Sequence, residues 1–278
     1  MDRQKQPAAR QCRPGGGPQT SAQARIWELD AIRGVCVVLM ILDHVLYDLG
    51  FLFGPAWAAA APESMIAAVC TFARDIYWLH PLRLIVRSFV LAGFIGICGI
   101  CCSFSRSNLR RGLKLLAVAL LLTLVTAAMD AFSGYTDFYI IRFGVLHMLA
   151  ISILLYALLQ RLPWPLLVLF GLLLIAVGKY YSTQPVAWSG LLPFVLGIGD
   201  GSYSADYFPL LPYSGYFLLG AALGVFPYRK KQSRFPHGGS GAAWRPFCFL
   251  GRHALWAYLL HQPLVYGLLL LLGLLFGL

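Results

Sequence analysis

Charge is what this sequence has least of: Asp, Glu, Lys and Arg make up only 12% of its 278 residues, and just 11 residues are acidic. Soluble domains carry about 25% charged residues, so this composition cannot dress a water-facing surface. With 59% hydrophobic residues and a mean hydropathy of +0.71, the chain reads as an integral, multi-pass membrane protein. It lacks a P-loop and a dinucleotide fingerprint, which removes the two strongest sequence signatures of nucleotide-driven chemistry. It lacks an internal linker and any visible repeat. No apolar segment precedes the first long hydrophobic run, so no cleavable signal peptide is expected and that run should stay in the mature protein.

What is present is apolar and helical. At about 20 residues per crossing, seven spans are predicted, over 31–53, 82–104, 110–130, 139–160, 163–181, 208–227 and 253–277. The expectation is an all-α polytopic bundle over residues 25–278, preceded by a disordered basic tail over 1–24 whose Gln, Pro, Gly and Arg bury nothing. Of the 22 Lys and Arg residues, 17 fall in segments on one side, among them Arg106, Arg110, Arg111, Lys114, Arg161 and the run from Arg229 to Arg252. The other side holds only Arg74, Arg83, Arg87, Arg142 and Lys179. The excess of positive charge on inner loops places the N-terminus in the cytoplasm and, with seven spans, the C-terminus outside. The net charge of +11 therefore reads as topology and contact with anionic lipid, not nucleic-acid binding. Arginines clustered at a cytoplasmic mouth can also hold phosphates, including those of a nucleotide-bearing coenzyme.

Two outer connections are long, 54–81 and 182–207. The first reads as an interfacial or re-entrant helix anchored by Trp and Tyr; the second is rich in Ser, Gly and aromatics. Together they suit either a platform for a polar ligand such as a sugar or plain interfacial anchoring. Seven cysteines lie mostly within spans or on the inner side, so no disulfide framework is expected. The run CGICC at 98–102 sits among Gly93, Gly96 and Gly99, where small residues let helices approach, and packing explains it better than metal binding. No metal site is expected.

The informative residues are polar ones inside the spans, where ionisable groups are costly and by default mark a functional site. Asp30, Arg33, Val37, Met40, His44 and either Tyr47 or Asp48 recur at three and four residues along the first span and so share one stripe. His44 lies about 16 Å along the helix from Arg33, near the middle of a bilayer core about 30 Å thick. Asp48, one turn beyond His44, is placed to accept a hydrogen bond from its ring. His147 and His261, the latter followed by Gln262 and Pro263, lie at membrane depth too. Each has a structural alternative: His147 bonding a backbone carbonyl, and the 261–263 trio satisfying groups freed by the proline. Arg33 at the inner mouth is placed to meet a phosphate or thioester carbonyl, or simply to pair with Asp30.

Five segments, RIWELDAIRGVCVVLMILDH, FIGICGICCSFSRSNLRRGLKLL, IIRFGVLHMLAISILLY, DYFPLLPYSGYFLLGAALG and GRHALWAYLLHQPLVYGLL, together and in order resemble the prokaryotic branch of the heparan-alpha-glucosaminide N-acetyltransferase catalytic-domain family, within the transmembrane acyltransferase superfamily. The resemblance covers residues 25–278. It implies an enzyme that takes acetyl-CoA from the cytoplasm and passes the acetyl group to an amino sugar or other envelope glycan outside, with no metal. Asp30, Arg33 and Gly34 match the family's opening motif, and His44 matches a polar active-site position ten residues after its Arg-Gly. His80 is the nearest counterpart of the family's catalytic histidine just outside the first core span. The chain is shorter than the animal member of the family, which speaks against heparan itself as acceptor and suits a bacterial plasma membrane.

Three function classes follow. An acyltransferase would use His44, supported by Asp48, or His80 as base. Asp30, Arg33, Arg106, Arg110, Arg111, His147, His261 and Gln262 would hold coenzyme and acceptor. A proton-coupled transporter would relay protons through His44, Asp48 and His261, show pH-dependent flux and bind no acetyl-CoA. A non-catalytic membrane scaffold would tolerate loss of every intramembrane histidine. A homo-oligomer is compatible with all three.

Overall fold

The computed structural model describes residues 26–184, 188–199, 203–235 and 241–277; the N-terminal tail expectation lies outside them. Every regular element among the described residues is helical: α1 (Trp27–Tyr47), α2 (Gly54–Ala60), α3 (Met65–Thr71), α4 (Pro81–Ser103), α5 (Asn108–Ser133), α6 (Val145–Leu159), α7 (Trp164–Tyr181), α8 (Leu191–Leu196), α9 (Leu210–Val225), α10 (Arg245–Arg252) and α11 (Ala254–Phe276). α1 runs on through a π-helical turn, Asp48–Leu52, so that the continuous helix reaches from Trp27 to Leu52.

Among the described residues, five helices are long and apolar enough to cross a membrane: Trp27–Leu52, α4, α5, α7 and α11. The other two expected spans correspond to α6 and α9, which are only 15 and 16 residues long. The difference has a physical cause at each. Before α6, every backbone N–H from Tyr139 to Val145 donates to a side chain instead of a helical carbonyl. Asp130 takes those of Tyr139 and Ile140 (2.7 and 3.1 Å), Thr126 that of Ile141 (3.0 Å) and Asp206 that of Val145 (3.0 Å). Ser204 takes those of Arg142 and Phe143, and the His147 ring that of Gly144. Once those donors are satisfied, irregular backbone is tolerated at membrane depth because it is buried in protein. Within the first turn of α9, Leu211, the residue before Pro212, leaves the helical region at φ −98° and ψ 128° and kinks the start of the helix.

The short helices are also the inner ones. α6 buries most of its surface, including Met148, Leu149, Ser152 and Tyr156, whereas α4, α5, α7 and α11 expose rows of Leu, Ile and Phe to the surroundings. α9 is the central strut, packed between α4, α6 and α7. Its glycines allow backbone contact: a Cβ on Gly220 would overlap the Gly96 carbonyl, and one on Gly215 would crowd Gly171 and Ile175. The same device joins α1 to α10, where a Cβ on Gly34 would meet the Phe247 carbonyl and one on Gly251 the Asp30 carbonyl. Phe217, Leu218, Met148, Ile95 and Leu167 fill the resulting core.

The 54–81 connection is a hairpin of α2 and α3 followed by a second π-helical turn, Phe72–Tyr77. Its Trp57 is not a free interfacial anchor: it is 5% exposed and forms a small core with Cys70 and Leu269. In the 182–207 connection the described residues include α8, whose Phe194 stacks on Tyr207 and whose carbonyl accepts the Tyr207 hydroxyl at 2.6 Å.

Candidate active site

His44 sits on α1 facing α11. Its Nδ1 lies 2.8 Å from the Met40 carbonyl oxygen; a carbonyl only accepts, so Nδ1 carries the proton and Nε2 keeps its lone pair. His261 on α11 repeats the arrangement, with Nδ1 2.7 Å from the Tyr258 carbonyl. The two rings meet edge to face, centroids 4.7 Å apart. Among the described residues, His261 Nε2 is buried without a partner, and so is Gln262 Oε1. Both atoms are acceptors, and a buried acceptor left without a donor costs about 1–3 kcal/mol. The pair therefore invites a donor-bearing group, an amine or hydroxyl.

Asp48 is fully buried at the start of the π-helical turn and accepts both its hydrogen bonds, each 3.0 Å, from the Gln262 amide nitrogen. This corrects the sequence expectation that Asp48 would accept from the His44 ring. The helical carbonyl of Met40 satisfies that ring, and the widened turn directs the carboxylate at α11 instead. Among the described residues Asp48 has no cation within ion-pair distance. His261 bonds the Tyr258 carbonyl, one residue before the Leu259 carbonyl that Pro263 releases, so repairing the proline kink is not what the ring does.

His147 is occupied. Its Nδ1 accepts from the Gly144 N–H (3.3 Å) and its Nε2 donates to Thr123 (3.2 Å), whose hydroxyl donates in turn to the Ile141 carbonyl (2.6 Å). The ring closes the N-terminus of α6. His80 caps α4, its Nδ1 accepting from the Leu82 N–H at 3.2 Å, and is exposed. Neither ring offers a free buried lone pair of the kind on His261.

At one end of the bundle, Asp30 pairs with Arg33 (3.6 Å) and Arg252 (3.2 Å), while Arg33 also donates to the Gly251 carbonyl and to Cys101 Sγ (2.9 Å). These bonds lock α1 to α10 and α4. Arg106, Arg110 and Arg111 follow α4 at the same end, exposed and in no ion pair among the described residues. The opposite end is aromatic. A cleft of about 320 Å³ lies there between Tyr47, Phe51, Tyr135, Tyr139 and Tyr266, and Tyr47 is one helical turn beyond His44.

Sequence reasoning left several organising residues unassigned. Asp43 makes a bidentate pair with Arg83 (2.8 and 2.9 Å) and accepts from the Tyr77 hydroxyl (3.0 Å), while Arg83 lies 3.5 Å above the Trp78 ring. Burial and the neighbouring Asp43 carboxylate push the Tyr77 phenol up from its ordinary value. Asp206 accepts from the Tyr258 hydroxyl (2.6 Å) as well as from Val145 N–H, tying α11 to the start of α6. The available signal was an acid in an aromatic loop, too common to single out.

Against this geometry, the sequence profile described as "Heparan-alpha-glucosaminide N-acetyltransferase, catalytic" matches residues 25–73 and 65–263. No curated protein and no solved structure matches the chain significantly. The profile spans most of the molecule, from just ahead of α1 through the His261–Pro263 segment, and the chain belongs to that family.

Proposed function

We propose that this family member is a membrane acetyltransferase. It takes acetyl-CoA at the basic end, facing the cytoplasm, and delivers the acetyl group to an amine or hydroxyl of an envelope amino sugar or glycan that enters from the aromatic end. The plasma membrane of a bacterium is the setting this implies. The observation that carries the reading is the His44–His261 pair with its unfilled acceptors, His261 Nε2 and Gln262 Oε1, lying between the two ends.

The chemistry follows from those groups. An acceptor amine or hydroxyl donates to His261 Nε2 and Gln262 Oε1, which holds its nitrogen or oxygen in place. His44 Nε2, in the tautomer set by Met40, removes the proton as that atom attacks the thioester carbonyl; the carbonyl carbon–sulfur bond then breaks, and the coenzyme leaves as a thiolate that takes the proton back from the His44 ring. Fixed geometry rather than strong basicity does most of this work. Asp48 acts through Gln262 by holding the amide so that Oε1, not the NH₂, faces the acceptor. The aromatic cleft offers faces against which a pyranose ring can pack, and Tyr hydroxyls to bond its rim. His147 and His80 hold helix ends and take no part in proton transfer. Asp30 and Arg33 fix the inner mouth by which the coenzyme enters. Arg106, Arg110 and Arg111 meet the coenzyme phosphates.

The donor side is tested by titrating acetyl-CoA into the purified protein by calorimetry. Micromolar binding is expected, weakened about tenfold or more by the Arg110→Ala, Arg111→Ala pair, since a charge-assisted hydrogen bond to phosphate supplies roughly 1 kcal/mol or more. Binding that is absent, or indifferent to both arginines and to salt, would remove the coenzyme from this end of the bundle.

A further inference from the structure

The aromatic end of the bundle holds a second recess that the proposed transfer does not use. It is a groove of about 240 Å³ between the α2–α3 hairpin and the outer half of α11, and every side chain that lines it is apolar or aromatic. Trp57 and Leu269 are buried in its floor. Its rim, Met65 and Val69 of α3 and Phe276 of α11, is exposed to the surroundings, which for the outer half of a membrane-spanning helix are hydrocarbon. The groove adjoins the aromatic cleft. Phe53 stands between them, packed on Trp57 of the groove (ring centroids 5.3 Å) and on Tyr266 of the cleft (5.1 Å). The π-helical turn serves both recesses, giving Leu49 to the groove and Phe51 and Leu52 to the cleft. On α11 they follow one another too, with Tyr266 in the cleft and Leu269 in the groove.

We propose that the acceptor is lipid-anchored: its sugar occupies the aromatic cleft, and the hydrocarbon tail that anchors it lies in this groove, passing beside Phe53. This rests on the reading of the aromatic end as the acceptor's entrance. The lining offers a polar chain almost nothing to pair with, so the occupant is hydrocarbon. Position decides which hydrocarbon. An acyl chain carried by the coenzyme would enter from the basic end, and Leu49 lies about four turns of α1 beyond Arg33, whereas the groove borders the acceptor's cleft. Hydrophobicity does not drive the tail in, because the surrounding lipid is equally apolar. What the groove supplies is alignment. A tail held between α3 and α11 fixes the direction from which the sugar enters, and with it the approach of its amine or hydroxyl to His261 and Gln262.

The test uses the full-length protein in lipid nanodiscs with acetyl-labelled acetyl-CoA and two acceptors, methyl glucosaminide and dodecyl glucosaminide. The wild type should acetylate the dodecyl compound with the higher kcat/KM. Partition into the bilayer alone would raise that preference equally in every variant. The decisive quantity is therefore the ratio between the two acceptors in Val69→Trp, whose larger ring fills the groove from its exposed rim. That ratio should fall about tenfold, a loss within the range that misalignment brings. A second measurement needs no variant: dodecyl glucosaminide with a diazirine in its tail should, on illumination, label residues 65–69 and 269–276, and unlabelled dodecyl glucosaminide should compete the label away. A wild type without preference, or a ratio unchanged in Val69→Trp, overturns the proposal. So does label spread over the lipid-facing sides of α4, α5 and α7, as bulk lipid gives, or exclusion of the probe by a second copy of the chain seated on the groove. A wild type that acetylates methyl glucosaminide but fails these tests defeats this inference alone. One that acetylates neither acceptor defeats the acceptor reading with it.

Discussion

Replacing His44 by alanine is expected to cut acetyl transfer by about 10²–10⁴-fold, the range that a positioned general base supplies, while leaving the protein inserted and monodisperse. The expectation rests on what His44 does and does not hold. Its Nδ1 bonds a carbonyl of its own helix and its Nε2 bonds no protein group among the described residues, so its removal breaks no tertiary hydrogen bond. His261→Ala should fall in the same range, because it removes the ring that faces His44 at 4.7 Å together with the unfilled acceptor. The double variant should be little worse than either single one, since groups acting as a unit give non-additive losses. His147→Ala should behave differently. Its ring is bound at both nitrogens, so the cost should appear in stability at the start of α6, with acetyl-CoA binding and KM for the acceptor little changed. Transfer retained within about tenfold in His44→Ala would end its assignment as base and favour a scaffold that tolerates loss of its histidines.

Asp43→Ala is expected to destabilise the protein by about 3 kcal/mol, the lower end for a buried pair broken on one side. Arg83 is 7% exposed and Asp43 21%, so the change leaves a guanidinium largely out of water with only the Trp78 face and the Tyr77 ring beside it. The lower end applies because water reaches the carboxylate. Unfolding by denaturing detergent in mixed micelles measures the change, and the double variant Asp43→Ala, Arg83→Met should recover much of it by replacing the stranded charge with an apolar stem. A single variant within about 0.5 kcal/mol of wild type would show the pair to be solvated and dispensable, like most exposed ion pairs.

Apolar composition and run length sufficed to read a helical membrane bundle, because in lipid only helices or closed barrels satisfy the backbone and the runs here are far longer than strands. What they could not reveal was that two of the seven runs would shorten. The segment IIRFGVLHMLA is apolar from Ile140, but its first N–H groups go to Asp130, Thr126, Ser204 and Asp206, which are distant in sequence or not visible as partners until the bundle closes. At α9 the signal was present in FPLLP, since each proline restricts the residue before it, and the apolar count outweighed it.

The site was legible by its residue types rather than its bonds. His44, His261, Asp48 and Gln262 stand out because each is costly in lipid, and they do converge. Period alone put Asp48 on the His44 stripe, and the π-helical turn at Asp48–Leu52 redirected it to Gln262, a change that no helical wheel anticipates. His147 looked equivalent to the other two by depth. Only the capping geometry at Gly144 separates it from them. Asp43, next to His44 and equally anomalous, drew no partner from sequence because Arg83 lies 40 residues away on another helix.

The most direct test of the account is transfer across a sealed membrane. The purified protein is reconstituted into vesicles with glucosamine trapped inside and acetyl-labelled acetyl-CoA added outside. The account expects labelled N-acetylglucosamine to accumulate in the lumen, and to vanish with His44→Ala. No acetylated sugar from vesicles whose protein binds the coenzyme, accompanied by proton flux that depends on His44 and Asp48, would contradict it and make the buried histidines a transport relay.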